Sequence, residues 1–359
     1  MRGVVNIAFA ASTNFQANFF ACLAKRIGDI ANPIFFVREH DRVSGIVRQR
    51  GFRTEVVCEY SGTSLLDKLR DASEAQVKMA ELLEKYNIKL LLTERWPPAV
   101  RAAFGVRVPV VAMFYDEREY AVNRLVFPLA RFVTLPTIYR GRRELLLRNG
   151  IIDAKLIWFR GFHAGYIKDI VDDAELTGDP RVVVRPESPT AEFIVRPGKS
   201  RLVEFYRKAR KVLPRAVRSL AKRAPSDVRI EVYPRTPQQA QEYADIPGVD
   251  IIEEPQPFPP VMGASVVMGG SETALQEAFV LRIPAVSTVY YQESLPTKQL
   301  HRFIDHTLNP ERAARLVTKY LTDRRYAEEK LKKGDYFRRR MQNPLDILER
   351  FVRGLSHER

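Results

Sequence analysis

The stretch MGGSETALQEAFVLRIPAVST, Met268 to Thr288, decides how the chain is read. The run that leads into it, ASVVMGG, is short, apolar and β-branched and ends on Gly269-Gly270, which lets a buried strand turn tightly and approach a ligand closely. Ser271 is a good N-cap. Thr273, Ala274, Leu275, Glu277, Ala278 and Leu281 follow at helical spacing, Pro284 ends the element, and Ala285 to Ser287 begin another strand. A strand, a glycine turn and a helix N-terminus make an anion site, because free backbone N–H groups and the helix dipole point above the carboxyl edge of the sheet. The stretch is less specific than a phosphate-loop fingerprint: it holds no Gly-x-Gly-x-x-Gly and no Gly-Lys-Ser/Thr, and Glu272 at the first helical position opposes the dipole.

Outward from this turn, strand candidates recur at Arg181 to Arg185, Arg229 to Tyr233, Val249 to Glu253 and Ser265 to Met268. An earlier series runs Val4 to Ala10, Pro33 to Arg38, Thr54 to Cys58, Lys89 to Thr93, Val108 to Phe114, Val133 to Thr137 and Leu156 to Phe159. Helical patterns separate most of them, including a long one from Ser64 to Tyr86, and this alternation means βαβ units and parallel sheets. The fold expected is α/β, with two Rossmann-like domains whose sheets face each other across a cleft. The polar stretch IKDIVDDAELTGDP separates residues 1–165 from residues 181–335, and residues 336–359 are expected to form a basic amphipathic helix that crosses back to the first domain.

Composition narrows the function classes. With 359 residues, 45% hydrophobic and 28% charged, the chain has material for two globular cores. Two cysteines, Cys22 and Cys58, exclude a disulfide scaffold or a cysteine zinc site. The start MRGVVNIAFAAS has the outline of a secretory signal, but Asn6 interrupts its apolar run and a helix with Phe15, Phe19, Cys22, Leu23 and Ile27 on one face follows, as in a βα unit. With the signal reading set aside, a cytoplasmic location is expected, and no integral membrane protein, since no apolar run reaches membrane-spanning length. A net charge of +15 favours acidic partners. Arg-rich helices at 201–223 and 324–353 suit docking on anionic lipid that carries an acceptor, and peripheral membrane association follows from that. A nucleic-acid-binding protein that retains the fold is the rival reading, supported by charge but by no recognised RNA or DNA motif and by few interleaved aromatics. The 23 prolines and the abundance of Arg also permit a thermophilic source.

An ordered set of motifs resembles the domain-of-unknown-function family numbered 354, whose members are similar to GT-B glycosyltransferases and UDP-N-acetylglucosamine 2-epimerase. Its pieces are Asn14 with Asn18-Phe19-Phe20, YDEREYAVNRLVFPLA from Tyr115, VRPESPTAEF from Val184, YPRTPQQ from Tyr233, and GGSETALQEAFVLRIPAVS from Gly269. The resemblance implies that the turn Gly269-Gly270-Ser271 with Thr273 holds a nucleotide diphosphate and that Glu277, one turn into the helix, bonds the ribose hydroxyls. It implies a nucleotide-sugar substrate, UDP-linked, and a glycosyltransferase, with a 2-epimerase-like enzyme as the alternative. The chain departs from the family's glycine-rich turn at Ser271 and Glu272, and has Arg282 where a glycine is usual before Ile-Pro.

The residues offer further site candidates. Arg185 and Arg235 end predicted strands and could clamp a diphosphate, since a guanidinium suits bidentate phosphate recognition. Asn14 and Asn18 can orient a sugar or acceptor but cannot deprotonate it. A general base must come from elsewhere: Glu94 in LLTERWPP, or Asp116, Glu117 and Glu119, where close like charges should push one pKa upward. His163 in RGFHAGY is a further catalytic candidate near the domain junction. No cofactor is expected. With no Asp-x-Asp, no His-x-x-x-His and no cysteine cluster, no metal is expected either.

Overall fold

Short apolar runs became strands because the central ones are buried on both faces and can pair only with their neighbours. A computed structural model describes residues 4–39, 43–59, 64–171, 179–187, 209–254 and 258–357, and it divides into two compact units, Met1–Tyr166 with Gln342–Arg359, and Ile167–Met341. The tail of the predicted motif VRPESPTAEF, most of the polar linker and the first part of the 201–223 helix lie outside the described residues.

In the first unit, β1 (Val5–Ala11), β2 (Ala31–Glu39), β3 (Arg53–Glu59), β4 (Leu90–Thr93), β5 (Val110–Met113), β6 (Phe132–Pro136) and β7 (Lys155–Phe159) form a parallel sheet in the order β3-β2-β1-β4-β5-β6-β7. The β4 sequence LLLT is buried throughout, as a central strand covered on both faces requires. The helix Asn14–Arg26 is capped by the Thr13 hydroxyl, and the helix Leu65–Lys85 by the Ser64 hydroxyl. In the second unit, β8 (Arg181–Arg185), β9 (Arg229–Val232), β10 (Val249–Ile251), β11 (Val266–Gly269), β12 (Ala285–Ser287) and β13 (Asp305–His306) form another parallel sheet in the order β10-β9-β8-β11-β12-β13. Val184, Val217, Ile230, Met268, Val286 and Val317 meet in its core.

Two differences from the sequence reading have plain causes. The two-residue β13 has no apolar run to announce it. The expected single helix over 336–359 is two elements, because Arg324–Arg340 stops at an extended Met341 and a new helix, Pro344–His357, starts on the proline that cannot continue the first. That last helix buries Leu345, Leu348 and Val352 in the first unit, sets Phe351 edge-on against Phe132, and pairs Arg353 with Asp29 and Asp346 and Glu349 with Arg26.

Both sheets place their first six strands in the order third, second, first, fourth, fifth, sixth. In such sheets the crevice between the first and fourth strands, where the chain changes direction of travel, is where ligands bind.

Candidate functional site

The glycine turn lies at that switch point of the second sheet. Gly269 ends β11 opposite Arg185 of β8, and a Cβ there would run into the Arg185 carbonyl oxygen. Gly270 is packed under the Glu187 carboxyl, which leaves no room for a side chain either. The glycines therefore serve strand packing as well as the turn. Ser271 occupies the N-cap of the helix Glu272–Val280 but makes no side-chain cap hydrogen bond. Its Oγ instead accepts from Arg235 Nη2 at 3.1 Å, and Arg235 Nε donates to the Pro186 carbonyl at 3.4 Å. Arg235 is thus held beside the helix N-terminus by one group of the turn and one just past β8. Arg185 Nη1 donates to the Tyr233 carbonyl at 2.6 Å and to the Pro234 carbonyl at 3.3 Å, which commits that part of its fork to the ends of β8 and β9.

Glu272 and Glu277 are both buried, as are most residues of this short helix. Burial raises the Glu187 carboxyl above the usual carboxylate range, against its hydrogen bond from Tyr290. Tyr290 Oη donates to Glu187 Oε1 at 2.9 Å and Tyr291 Oη to the Gly270 carbonyl at 2.7 Å, while Thr288 N donates to the Gly269 carbonyl at 2.9 Å. The Thr288 hydroxyl is buried without a hydrogen-bond partner.

The first unit has a different edge chemistry. Glu94, which follows β4, accepts from Gln16 Nε2 at 2.7 Å and from Arg95 Nε at 2.9 Å, and Arg95 also pairs with Glu119. Asp116 accepts from the Arg118 backbone N–H at 2.9 Å and from Arg118 Nε at 2.8 Å. Burial alone would raise Asp116, but the hydrogen bonds and charge of Arg118 and the charge of Arg95 hold it below the usual carboxylate range. The expected upward shift of a crowded carboxylate is therefore reversed at Asp116, because the arginines interleaved with the acids fold back onto them. Glu117 accepts from Tyr139 Oη at 2.6 Å.

Residues 7–352 match the family described as "Protein of unknown function (DUF354)". This chain belongs to that family. A protein described as uncharacterized, MJ0665 from Methanocaldococcus jannaschii, is 25% identical over 248 residues, 65% of this chain and 67% of its own length. The UDP-GlcNAc 2-epimerase from Neisseria meningitidis, bound to UDP-GlcNAc, superposes with a TM-score of 0.67 at 13% identity over 99% of this chain and 100% of its own. Spinosyn forosaminyltransferase SpnP does so with a TM-score of 0.60 at 14% identity, again over 99% and 100%. The DUF354 chain thus has the α/β fold that epimerases and GT-B glycosyltransferases share.

Within this DUF354 member the sequence candidates fall into three groups. Gly269, Gly270, Ser271 and Arg235 converge on one turn, with Thr273 and Glu277 on the helix that leaves it. Glu94, Asp116, Glu117 and Glu119 lie at the carboxyl ends of β4 and β5, knitted together by Arg95, Arg118 and Tyr139. Asn14 opens the first helix with its Oδ1 buried and unpartnered, as a site for a donor hydroxyl would be.

Two candidates are placed otherwise. Asn18 spends its amide inside the unit, donating to the Asn14 carbonyl at 3.0 Å and accepting from Arg50 at 2.7 Å. His163 is buried between Tyr115 and Phe159, and loss of solvent pushes its pKa down to about 3, so it is an uncharged core residue. Sequence reasoning did not bring in Arg95, Thr288, Tyr290 or Tyr291, which the fold sets beside these groups. Only the aromatic pair of VSTVYYQES, just past the strand that follows the turn, was a visible signal.

The basic surface is partly neutralised from within. On the described helices Arg210 pairs with Glu242, Arg218 with Asp245, Arg223 with Glu311 and Arg325 with Glu329. Charge committed to such pairs is weaker bait for phosphate backbones than the composition alone suggests.

Proposed function

We propose that this chain is a glycosyltransferase that binds a nucleotide-activated sugar, UDP-linked, in its second unit and the acceptor in its first. The observation that carries the reading is the turn at the switch point: Ser271 leaves the helix N-terminus uncapped by its own hydroxyl while Arg235 is held beside it. Backbone N–H groups and one guanidinium there can share the charge of a diphosphate. Glu277 takes the ribose, since one carboxylate accepts from two vicinal hydroxyls.

In the transfer the acceptor hydroxyl gives its proton to a carboxylate and its oxygen bonds to the anomeric carbon. The bond from that carbon to the diphosphate breaks, and the nucleoside diphosphate leaves with the electron pair, stabilised by Arg235 and the helix N-terminus. Glu94 is bound by Gln16 and Arg95 and Asp116 by Arg118, whereas Glu117 and Glu119 are partly exposed. Glu119 is paired with Arg95, which weakens it as a base, so Glu117, hydrogen-bonded by the phenol of Tyr139, takes the role. Asn14 orients the acceptor.

Titration of the wild type and Glu277→Ala with UDP and other nucleoside diphosphates tests the reading. Losing the ribose contact should weaken binding by about 1–3 kcal/mol, roughly ten- to a hundredfold, with fold stability unchanged. Equal affinities would remove Glu277 from the site, and a wild type that takes up no nucleotide would reject the function. Incubation with UDP-sugars then separates the two chemistries, because transfer releases UDP only with an acceptor while 2-epimerisation inverts one sugar carbon without one.

A further inference from the structure

Beside the glycine turn, on the same sheet edge, stands a second polar cluster. His301, at the end of the helix Leu295–Leu300, has Nε2 at 2.8 Å from Ser287 Oγ and Nδ1 at 2.7 Å from Glu293 Oε1. A serine, a histidine and a carboxylate in that order suggest a nucleophile, and Glu293, His301 and His306 are metal-ligand types close together. Geometry opposes both. Ser287 is 0% exposed and its Oγ also accepts from Val289 N at 3.3 Å, so no substrate reaches it. The His301 and His306 rings stack at 4.4 Å with 7° between their planes. A metal binds in the plane of an imidazole, and two parallel, displaced planes cannot share one ion.

The cluster does close a loop. Ser287 and Glu293 bracket residues 288–292, and His301 bonds both brackets at once, while His306 Nε2 bonds the Val289 carbonyl at 2.8 Å between them. The enclosed segment carries the groups that meet the turn: Thr288 N on the Gly269 carbonyl, Tyr291 Oη on the Gly270 carbonyl and Tyr290 Oη on Glu187. An imidazole that donates from Nδ1 to Glu293 leaves its Nε2 lone pair for the Ser287 hydroxyl. Burial and the neighbouring His306 favour that uncharged form, against Glu293.

We infer that His301 is a positioning residue, a clamp that holds segment 288–292 closed and so presses Tyr290 and Tyr291 against the turn. Its bearing on nucleotide affinity rests on the binding site proposed above. The clamp shapes the turn from behind and touches no reacting atom.

Amide hydrogen exchange of segment 288–293 in the ligand-free protein, followed by UDP titration, tests this in His301→Ala, Glu293→Ala and His301→Gln. In His301→Ala, exchange across the segment should rise about tenfold with the thermal midpoint and the protection of β11 unchanged, and UDP affinity should fall about tenfold. Glu293→Ala cuts only the partly exposed end of the clamp, leaves the buried core intact, and should show a smaller rise. Glutamine offers one donor and one acceptor, so His301→Gln should restore much of the protection. Unchanged exchange in both alanine variants overturns the clamp, whatever UDP does. A rise in exchange in a protein whose wild type takes up no UDP supports the clamp and rejects the nucleotide reading alone.

Discussion

The two switch points share a topology and differ in how their polar groups are satisfied. At the first, between β1 and β4, Gln16, Glu94, Arg95 and Glu119 form a closed network of charges, with Asp116 locked to Arg118 alongside. At the second, between β8 and β11, one arginine meets a serine hydroxyl and a backbone carbonyl, and phenols meet a carbonyl and a carboxyl of raised pKa. A charge network in a poorly solvated place is stable only while every partner is present. Neutral donors around a turn tolerate the loss of one partner better. On the proposed reading, the ion-locked first edge supplies the proton acceptor and the second recognises the diphosphate.

The sharpest way to break this contrast is to remove one arginine from each edge. Arg95→Met leaves Glu94 and Glu119 without their shared cation and should cost about 3–5 kcal/mol in urea unfolding. Arg235→Met, by contrast, should cost less than about 1 kcal/mol of stability. Equal losses would show that the second edge is ion-locked too.

The next effect depends on pH. His163 has a folded pKa of about 3 against an ordinary 6.5, so as pH falls through that interval the unfolded chain takes the proton first and the fold loses stability. The loss is about 1.4 kcal/mol per pH unit, roughly 2 kcal/mol by pH 5, and His163→Phe should flatten the slope in urea midpoints measured at pH 7 and pH 5. An unchanged slope would mean that His163 is solvated in the folded protein.

Arg235→Lys should lower UDP affinity about tenfold, because a point charge cannot reproduce the fork, while leaving urea unfolding within about 0.5 kcal/mol of wild type. Unchanged UDP affinity would sink its role as diphosphate clamp. The smallest effect is expected at Arg282. It sits at φ 61° and pairs with Glu328 and Asp335 on the helix Arg324–Arg340, at the opposite end of its own helix from the turn. Arg282→Gly relieves the left-handed strain and loses the exposed pairs, for a net change within about 1 kcal/mol, whereas Arg282→Ala keeps the strain and should be about 1 kcal/mol worse. UDP affinity should not move in either, since this departure from the family's glycine is compensated away from the site.

The strands were legible because parallel sheets buried on both faces write themselves as apolar runs, and the helices because apolar residues recur at helical spacing behind N-cap residues such as Ser271. The turn was legible for the same local reasons. The charge network was not. Arg95 is adjacent to Glu94 in sequence, but its pairing with Glu119 exists only after β4 and β5 lie side by side. Asp116, Glu117 and Glu119 could be read from the sequence either as crowded like charges or as partners of Arg118 and Arg124, and only the fold shows Arg118 turned back onto Asp116. The loop around Tyr290 and Tyr291 showed only its aromatic pair, since its partners Glu187, Gly270 and His301 are distant along the chain or follow later.

The helix Pro344–His357 has a consequence for the order in which the molecule can be made. The first sheet leaves the ribosome more than a whole domain ahead of the helix that covers Phe132 and pairs with Arg26 and Asp29. During that interval the nascent first unit shows an apolar patch that Leu345, Leu348 and Val352 later cover, while the second unit already has the strands of its own sheet. Maturation of the first half thus waits on residues 344–357, and the patch is where a chaperone has most to protect.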